Sequence, residues 1–472
     1  MREAQAPQPS FADVELQRQG ITLDGTLQAI SDLLDQHGEL VDKVRQDLIR
    51  GLKRPETGRE GLNAQQVLRS FTLKTIKNWD LRELRERITD GMTLRIFTTF
   101  FARRVPKHDA FNRAHNRLTP ALVERINNLA IQAAVAAKLE DGNALRVDST
   151  VVETNIHWPT DATLLWDAVR VLTRLIGRLR EIAGKDMPRF PNRKRSARRR
   201  MQKLQRMTTA QRESQQVSTY RQLLAITQEV LCNARLSVDA TASSGGKNRA
   251  LVLVIETLRK EISGICRLAD QVVDQARRRV IYGEQVPTDE KIYSLFEPHT
   301  DLIKRGKTNK PIEFGHKVFL AESAHGLITQ YLVLEGNPSD ENHVSTSLDN
   351  HRNMFGFAPE TYATDRGFHN SSNEKVCRDA GVTSPSIPQR GGQKTPERAA
   401  TEKTPAFKQA QRFRAGIEGT ISVLLRGRGM RRCFGRGKQR FELLIGAVVL
   451  TNNLMRIARL LIDKKKPRSR AA

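Results

Sequence analysis

Apolar residues recur at helical spacing through the first 140 residues, and no alternating strand pattern interrupts them. One helix is predicted to begin at Asp80, because Glu83 follows at the capping-box spacing. Such a region is either a helix-turn-helix that reads DNA or a packing domain with a solvated basic face, and composition leaves both open. The cations that raise this question are Lys74, Lys77, Arg82, Arg85 and Arg87.

The first strand pattern begins at Ala144, in a β-prone run that contains Asp148. Helical periodicity then returns behind Asp161, a predicted N-cap, and strand signals are absent until about residue 312. Residues 161–300 are therefore predicted to be a helical insertion. The insertion contains a basic cluster that suits either phosphate contacts or an exposed charged loop. Its members are Arg193, Lys194, Arg195, Arg198, Arg199, Arg200, Lys203 and Arg206.

From Ile312 the pattern predicts a β-hairpin, a helix, a fourth strand that ends on Asp365, a helix, and a fifth strand over 382–387. A linker rich in Pro, Gly and Lys follows, and then two helices over 406–426 and 441–462. This order predicts an α/β protein with a ribonuclease H-like mixed-sheet core, a large helical insertion after the first strand and an all-α N-terminal region. The predicted segments are a helical DNA-binding region (1–140), the first strands of the core (141–160), the basic insertion (161–300), the remainder of the core (301–463) and a basic tail (464–472).

The net charge of the chain indicates which class of molecule it binds. The chain has 79 Lys and Arg against 52 Asp and Glu, a formal charge of +27, which favours a polyanion. The longest apolar run near the C-terminus, 443–450, is far shorter than the roughly 20 residues that span a bilayer, so no membrane association is expected. The N-terminus lacks a secretory pattern, which predicts a cytoplasmic protein. Four widely spaced cysteines are interpreted as reduced thiols: Cys232, Cys266, Cys377 and Cys433.

Three carboxylates are placed suggestively by this order of elements. Asp148 lies in the first strand, Asp365 ends the fourth, and Glu418 lies on a later helix. In an open sheet the first and fourth strands can be neighbours, so acids near their ends can share Mg²⁺, while a helix packed alongside adds the glutamate. Each acid also has a local explanation: Asp148 can cap a turn, Asp365 can end a strand, and Glu418 can pair with Arg414.

Several ordered blocks resemble bacterial insertion-sequence DDE transposases, and the group labelled ISNCY is the most similar. The blocks are RVDSTVVETNIHWPTDATLLWDAVRVLTRLI, FEPHTDLIKRGK, EFGHKV, EGNPSD, ATDRGF and FRAGIEGTIS. The resemblance extends from the basic N-terminal helices to FELLIGAVVLTNNLMRIARLL. It implies that Asp148, Asp365 and Glu418 are the catalytic, metal-binding acids, which hold two Mg²⁺ or Mn²⁺ ions per active site.

The same resemblance implies the reaction and the partners. Metal-activated water frees a 3′-hydroxyl at each element end, and that hydroxyl attacks target DNA. Double-stranded DNA, a homodimer on paired ends and a nucleoid-associated location in a bacterial cytoplasm are expected. Arg414 resembles an arginine of the family and is assigned to positioning phosphate or carboxylate.

Two positions depart from the family pattern. Arg366 replaces a glycine after the second aspartate, and Leu425 replaces a lysine seven residues after the glutamate. On a regular helix Arg426 and Arg428 lie near that lysine position but are rotated around the axis, so both are candidate substitutes for contacting DNA. Two alternatives stay open: a non-catalytic, decayed transposase that still binds DNA, and a ribonuclease H-like nuclease that stops at hydrolysis.

Overall fold

The computed structural model describes residues 11–18, 20, 22–55, 57, 61–184, 187–242, 248–304 and 311–465. The chain divides into two compact units, unit 1 (1–153 and 316–472) and unit 2 (154–315). The helices are α1 (Phe11–Arg18), α2 (Gly25–Gln36), α3 (Gly38–Ile49), α4 (Ala64–Lys77), α5 (Leu81–Asp90), α6 (Met92–Phe97), α7 (His108–His115), α8 (Pro120–Ala136), α9 (Asp161–Ala183), α10 (Lys194–Arg206), α11 (Thr209–Ala240), α12 (Arg249–Ala276), α13 (Val344–Phe355), α14 (Asn373–Asp379), α15 (Pro396–Lys403), α16 (Pro405–Ala415), α17 (Ile417–Ser422) and α18 (Lys438–Lys465). The strands are β1 (Ala144–Thr154), β2 (Asp301–Lys304), β3 (Ile312–Ser323), β4 (Ile328–Val333), β5 (Thr361–Ala363), β6 (Ser384–Ser386) and β7 (Arg432–Cys433).

The N-terminal helices form one core with the last helix of the chain. Apolar side chains of α2 to α8 pack with those of α18, and the predicted helical character of the first 140 residues is confirmed in α1 to α8. Asp80 caps α5, because its carboxylate accepts hydrogen bonds from the amides of Arg82 and Glu83. Folding this region therefore requires both ends of the chain.

The long helix α18 is a central element of unit 1. Asn453, fully buried on it, accepts a hydrogen bond from the Ile328 amide and donates to the Ile328 carbonyl and to Asn127 Oδ1, each at 2.8 Å. These bonds join α18 to β4 and α8. Within the described ranges α18 is the helix long and apolar enough to cross a membrane, but 61% of its apolar window is buried inside the protein, as in a core helix.

The sheet is mixed. In unit 1 its order is β3-β1-β5-β6, with β4 on β3 and β7 on β1. β1 and β5 are parallel, as are β5 and β6, whereas β3 and β4 form the predicted antiparallel hairpin. One face packs on α13 and α14, and the other packs on α17 and α18. A mixed sheet with helices on both faces is consistent with the predicted ribonuclease H-like core.

Three details of unit 1 differ from the sequence prediction. The segment predicted as a Pro, Gly and Lys linker contains α15, which begins at Pro396 behind the N-cap Thr395. The helix predicted over 406–426 is divided into α16 and α17, and a π-helical turn (Val423–Gly427) follows. The short β7 adds a strand that the pattern did not indicate.

Unit 2 contains the helical region that the sequence predicted between the first strand and the hairpin. Its four helices α9 to α12 share one apolar core. The cap of α9 was predicted one residue late, because Thr160 is the N-cap and Asp161, in the first turn, is buried and paired with Arg279 at 2.6 Å. The basic cluster, for which a charged loop was one alternative, is the helix α10. In this unit β2 pairs antiparallel with the first residues of β3.

Candidate active site

The register of two parallel strands brings the two aspartates together. Arg146 of β1 pairs with Ala363 of β5, so Asp148 and Asp365 each lie two residues beyond that pair. Parallel strands end at the same edge of a sheet, and the carboxyl edge is where ligands bind in open α/β sheets. Alternation along β1 directs Leu145 and Val147 to the α13 side and therefore directs Arg146 and Asp148 to the α17 side.

The helix α16, which immediately precedes the helix that carries the glutamate, is tied across this edge. Gln411 of α16 donates from Nε2 to the carbonyl of Ser386 at 3.0 Å and to that of Thr364 at 3.2 Å. Arg146 donates from Nη1 to the Phe413 carbonyl at 2.7 Å, near the C-terminus of α16, and its guanidinium lies 4.9 Å from the Phe413 ring centre. The strand ends and the helix therefore form one hydrogen-bonded assembly.

A buried ion pair that the sequence analysis missed supports that assembly. Arg146 contacts Glu322 of β3 through Nε and Nη2, both at 2.9 Å, and Thr420 of α17 donates to Glu322 Oε1 at 2.7 Å. Glu322 is almost fully buried and lies on the same strand face as Val318 and Leu320. An acid at an inward position of an apolar strand was the available signal, because such a charge is stable only when it is paired.

Close packing at Gly416 depends on this pair. A Cβ added to Gly416 would overlap the Nη1 atom of Arg146, whereas Gly419 on the same helix has no neighbour within 4 Å of an added Cβ. Gly416 has an ordinary helical φ of −64°, so the glycine is required by space and not by backbone conformation. The absence of a side chain at 416 lets the guanidinium lie beneath the junction of α16 and α17.

One guanidinium lies among all three predicted acids. Arg414 Nη2 is 2.6 Å from Asp148 Oδ2, 3.4 Å from Glu418 Oε1 and 3.8 Å from Asp365 Oδ2. The structure therefore gathers three residues separated by 217 and 53 positions around a single cation. The buried Nε of Arg414 has no hydrogen-bond partner among the residues that the structure describes.

The three carboxylates differ in burial. Their side chains are 12% exposed in Asp148, 40% in Asp365 and 65% in Glu418. Burial is the main cause that raises the pKa of Asp148 to about 6; Arg414 opposes the rise, and Asp365 adds to it. The fold thus holds Asp148 in a buried position that destabilises its charged form, and the two more exposed acids, Asp365 and Glu418, lie near it.

The donor set suits a hard divalent cation, because carboxylate oxygens are the ligands that Mg²⁺ prefers. The acids already surround one positive group, and Asp148 has its second oxygen bonded to the Ser149 amide at 2.7 Å. Within the described ranges no three His, Cys, Asp or Glu side chains stand at metal-ligand spacing, so metal binding would require side-chain rotations that bring the acids closer. Glu418 and Asp365 are exposed enough to make them.

The loop after the second aspartate is ordered by that aspartate. Asp365 Oδ1 accepts the Gly367 amide at 2.8 Å. A Cβ on Gly367 would be 3.0 Å from Asp365 Oδ1 and 3.4 Å from Asp340 Oδ2, so Asp340 lies beside the site. Asp340 starts a short 3-10 helix and pairs with Lys317 at 3.0 Å.

The π-helical turn changes the expectation for Arg426. The Arg428 amide bonds to the Val423 carbonyl five residues back, so this turn holds one more residue than an α-turn. Each residue in this turn advances less around the axis than in an α-helix, so Arg426 lies closer to the face of Glu418 than on a regular helix. Arg426 is exposed like Glu418, whereas Leu425 packs against the core around Ile421 and Leu424.

Arg428, the other candidate substitute, is directed into unit 1. Its guanidinium donates to the Ile76 carbonyl at 2.9 Å and contacts the Met455 sulphur at 2.6 Å. Burial and the charge of Arg459 lower its pKa. In this arrangement Arg428 joins α4 to α18 and has no free side-chain end to offer a phosphate.

Acids that converge at the carboxyl edge of a mixed sheet form an arrangement that suits metal-dependent phosphoryl transfer. Residues 286–454 match the family model described as transposase DDE domain. The matched segment covers about a third of the chain and is the domain of DDE transposases, metal-dependent enzymes that transfer phosphoryl groups on DNA. The match includes Asp365, Arg414 and Glu418, while Asp148 precedes it. No curated protein and no solved structure matched the chain.

Substituting Gly416 by Ala is expected to displace Arg146 and break its pairing with Glu322. Breaking a buried ion pair without removing it leaves charges unsatisfied, so the free energy of unfolding should fall by about 2–4 kcal/mol and DNA cleavage should drop at least tenfold. Chemical denaturation and a cleavage assay measure the two effects. Gly419→Ala is the matched control: it should keep activity and gain up to about 1 kcal/mol from better helix propensity. Equal effects of the two substitutions would contradict the role of Arg146.

Replacing Asp148 by Asn is expected to stabilise the metal-free protein in a pH-dependent manner. The folded-state pKa of about 6 lies above the ordinary value of 3.8, so the contribution of Asp148 to stability is complete below pH 3.8 and is lost as pH rises through 6. Two pKa units correspond to about 3 kcal/mol, partly offset because Arg414 loses a partner. The free energy of unfolding of Asp148→Asn should therefore be about 1–3 kcal/mol higher than that of wild type at pH 8 and equal to it near pH 4. Denaturant titrations with a chelator present test this, and a difference independent of pH would contradict it.

Proposed function

We propose that this protein is a transposase that binds the terminal inverted repeats of its own insertion sequence, cleaves DNA there and joins the freed ends to target DNA. The catalytic triad of this proposal is Asp148, Asp365 and Glu418, on a ribonuclease H-like core. The observation that carries it is the convergence of these acids on one guanidinium at the carboxyl edge of the sheet. Membership of the ISNCY group is part of the proposal and rests on the sequence blocks.

The triad residues would hold the divalent metal, for which we propose two Mg²⁺ or Mn²⁺ ions. When bound, such ions stabilise the negative charge that develops on a phosphate under attack. Asp148 is the fixed member, because the strand and the Ser149 amide hold its carboxylate. Asp365 and Glu418 are the adjustable members, since both side chains are substantially exposed.

Arg414 has two tasks in this proposal. Without metal it neutralises the crowded acids, which would otherwise repel one another. With DNA bound, its guanidinium would donate from Nη2, the atom that faces the acids, to a phosphate oxygen. Arg414 at the end of α16 and Glu418 at the start of α17 lie 3.4 Å apart, so the phosphate contact and the third acid are side by side.

Arg426 is proposed as the DNA contact two turns from the glutamate. It occupies the exposed helix face on which the related transposases carry lysine, because the π-helical turn adds one residue. An arginine there keeps the positive charge and adds bidentate geometry toward phosphate. Arg428 contributes indirectly, by fixing the end of this helix against α4.

Paired element ends require two copies of the enzyme in this scheme, so a homodimer on DNA is proposed. The cytoplasmic, nucleoid-associated location follows from the same partner. A nuclease that stops at hydrolysis and a decayed, binding-only protein are the two outcomes that the assays below separate from transposition.

The triad is tested with DNA that carries the inverted repeats flanking the gene. Wild-type protein with Mg²⁺ or Mn²⁺ is expected to nick the repeat end and to join it to a second duplex. Asp148→Asn, Asp365→Asn and Glu418→Gln should each lower nicking at least 10³-fold while end binding changes less than fivefold, because charge is removed without loss of volume. Asp349→Asn, an exposed acid of α13, is the control and should act as wild type. Full nicking by any triad variant would refute that assignment; nicking without joining would indicate a nuclease, and binding alone a decayed enzyme.

The register of the π-helical turn is tested separately. Arg426→Gln should weaken binding to the repeat ends about tenfold, because one charge-assisted phosphate contact is lost. Leu425→Lys should gain no cleavage and should lower the free energy of unfolding, because it places a charge in the core beside Leu424. Electrophoretic mobility shifts and denaturation measure both. A Leu425→Lys variant with increased cleavage would show that position 425, and not 426, faces DNA.

A further inference from the structure

Unit 2 carries a continuous basic face on α10. The helix packs inward through Ala197, Met201 and Leu204, all buried in the unit 2 core. Its sequence, KRSARRRMQKLQR, contains no Asp or Glu. The side opposite the core consists of exposed cations that cover less than half of the helix circumference at 100° per residue. They are Arg195, Arg198, Arg199, Lys203 and Arg206.

These five cations have no hydrogen-bond or ion-pair partner within the part of unit 2 that the structure describes. Two other arginines of the cluster are held by the protein: Arg193 pairs with Glu229 at 2.8 Å, and Arg200 donates to Gln222 and Ser196. Elsewhere in the unit, Arg235 and Arg279 pair with acids. Other described arginines of the unit, such as Arg249 and Arg267, are also unpaired, but α10 differs in collecting five unpaired cations on one face.

Leaving this face unpaired has a cost to the helix. The five cations include four like-charge pairs at spacings of three or four residues, and such pairs destabilise a helix. No acid at those spacings offsets them. The exposed side of α12 is different, because Glu256 and Glu261 are interspersed with its cations. A helix face that only contacts solvent would be more stable with such a mixture of acids and cations than with cations alone.

We infer that the basic face of α10 binds the phosphate backbone of double-stranded DNA without reading its sequence. This inference rests on the proposed function, which makes DNA the partner. From Arg195 to Arg206 the face extends about 16 Å along the helix. Successive phosphates of one strand are about 3.4 Å apart along the duplex axis, so several lie within reach. Arginine and lysine side chains on one face supply the donors that phosphate oxygens accept.

The inference is tested by the salt dependence of binding to a 40-base-pair duplex of arbitrary sequence, with full-length protein and a chelator present. Arg195→Gln/Arg199→Gln/Arg206→Gln removes three charges from the face. Each lost phosphate contact reduces the slope of log K against log salt concentration by about 0.9, so the slope should become shallower by about 2–3. At physiological salt the affinity should fall on the order of 10- to 100-fold.

The matched control is Arg249→Gln/Lys260→Gln/Arg267→Gln on α12, which removes the same charge from exposed positions of the same unit. Its slope should change by less than 0.5 and its affinity by less than threefold. Equal losses in the two triple variants would overturn the inference, because only net charge would then matter. The α10 variant should also unfold at the same temperature as wild type or at a higher one, because like charges are removed. A lower unfolding temperature together with normal DNA binding by the refolded variant would equally overturn the inference.

A second arm uses vesicles of phosphatidylserine and phosphatidylcholine. Wild-type binding to them that is lost in the α10 variant, with an unchanged DNA slope, would assign the face to an anionic membrane and refute the DNA inference. An incorrect assignment of the catalytic triad can be distinguished from an incorrect assignment of the α10 face, because the two are measured by different assays. Asp148→Asn abolishes nicking but leaves the salt slope of wild type, whereas the α10 variant changes the slope whether or not the protein cleaves DNA.

Discussion

The buried pair between Arg146 and Glu322 sets the geometry on which the active site depends. It joins the two central strands, and through Phe413 and Thr420 it also joins the helices that carry Arg414 and Glu418. Buried ion pairs contribute little net stability over apolar packing, but losing one partner is costly. Such a pair is therefore better suited to fixing a position than to stabilising the fold. Here it fixes the distance between a strand acid and a helix acid.

Part of this site could be predicted from sequence and part could not. Strand alternation and element order were sufficient to place Asp148 in one strand and Asp365 next to the end of its parallel neighbour, although β5 ends at Ala363, two residues before the predicted position. The Arg146–Glu322 pair was missed because its members are 176 residues apart, and the helices of unit 2 intervene in the sequence. An inward acid in β3 was visible, but its partner was not. The cap of α9 and the helix within the predicted linker were missed because small differences in capping decide such boundaries.

At Leu425 the chain departs from the family pattern, and an irregular helix turn explains why a comparison by residue count passes over the neighbouring Arg426. Counting seven residues from Glu418 assumes a regular α-helix, and that count arrives at a leucine. The π-helical turn rotates the following residues relative to a regular helix, and Leu425 packs against the core while Arg426 is exposed. Sequence periodicity could not reveal this turn, because Leu424 and Leu425 are both apolar and either could have faced inward. The structure resolves the ambiguity through burial.

The cations of this protein occupy two kinds of environment. In unit 1 the cations near the site are bound to acids or carbonyls, as Arg146, Arg414 and Arg428 show. Such cations order the protein and lose conformational freedom when it folds, not when it binds DNA. The exposed cations of α10 keep that freedom and their mutual repulsion, both of which a polyanion would reduce on binding. A cleavage site needs positions fixed to within a fraction of an ångström, whereas backbone binding needs only charge density, and the two arrangements of arginine meet these two requirements.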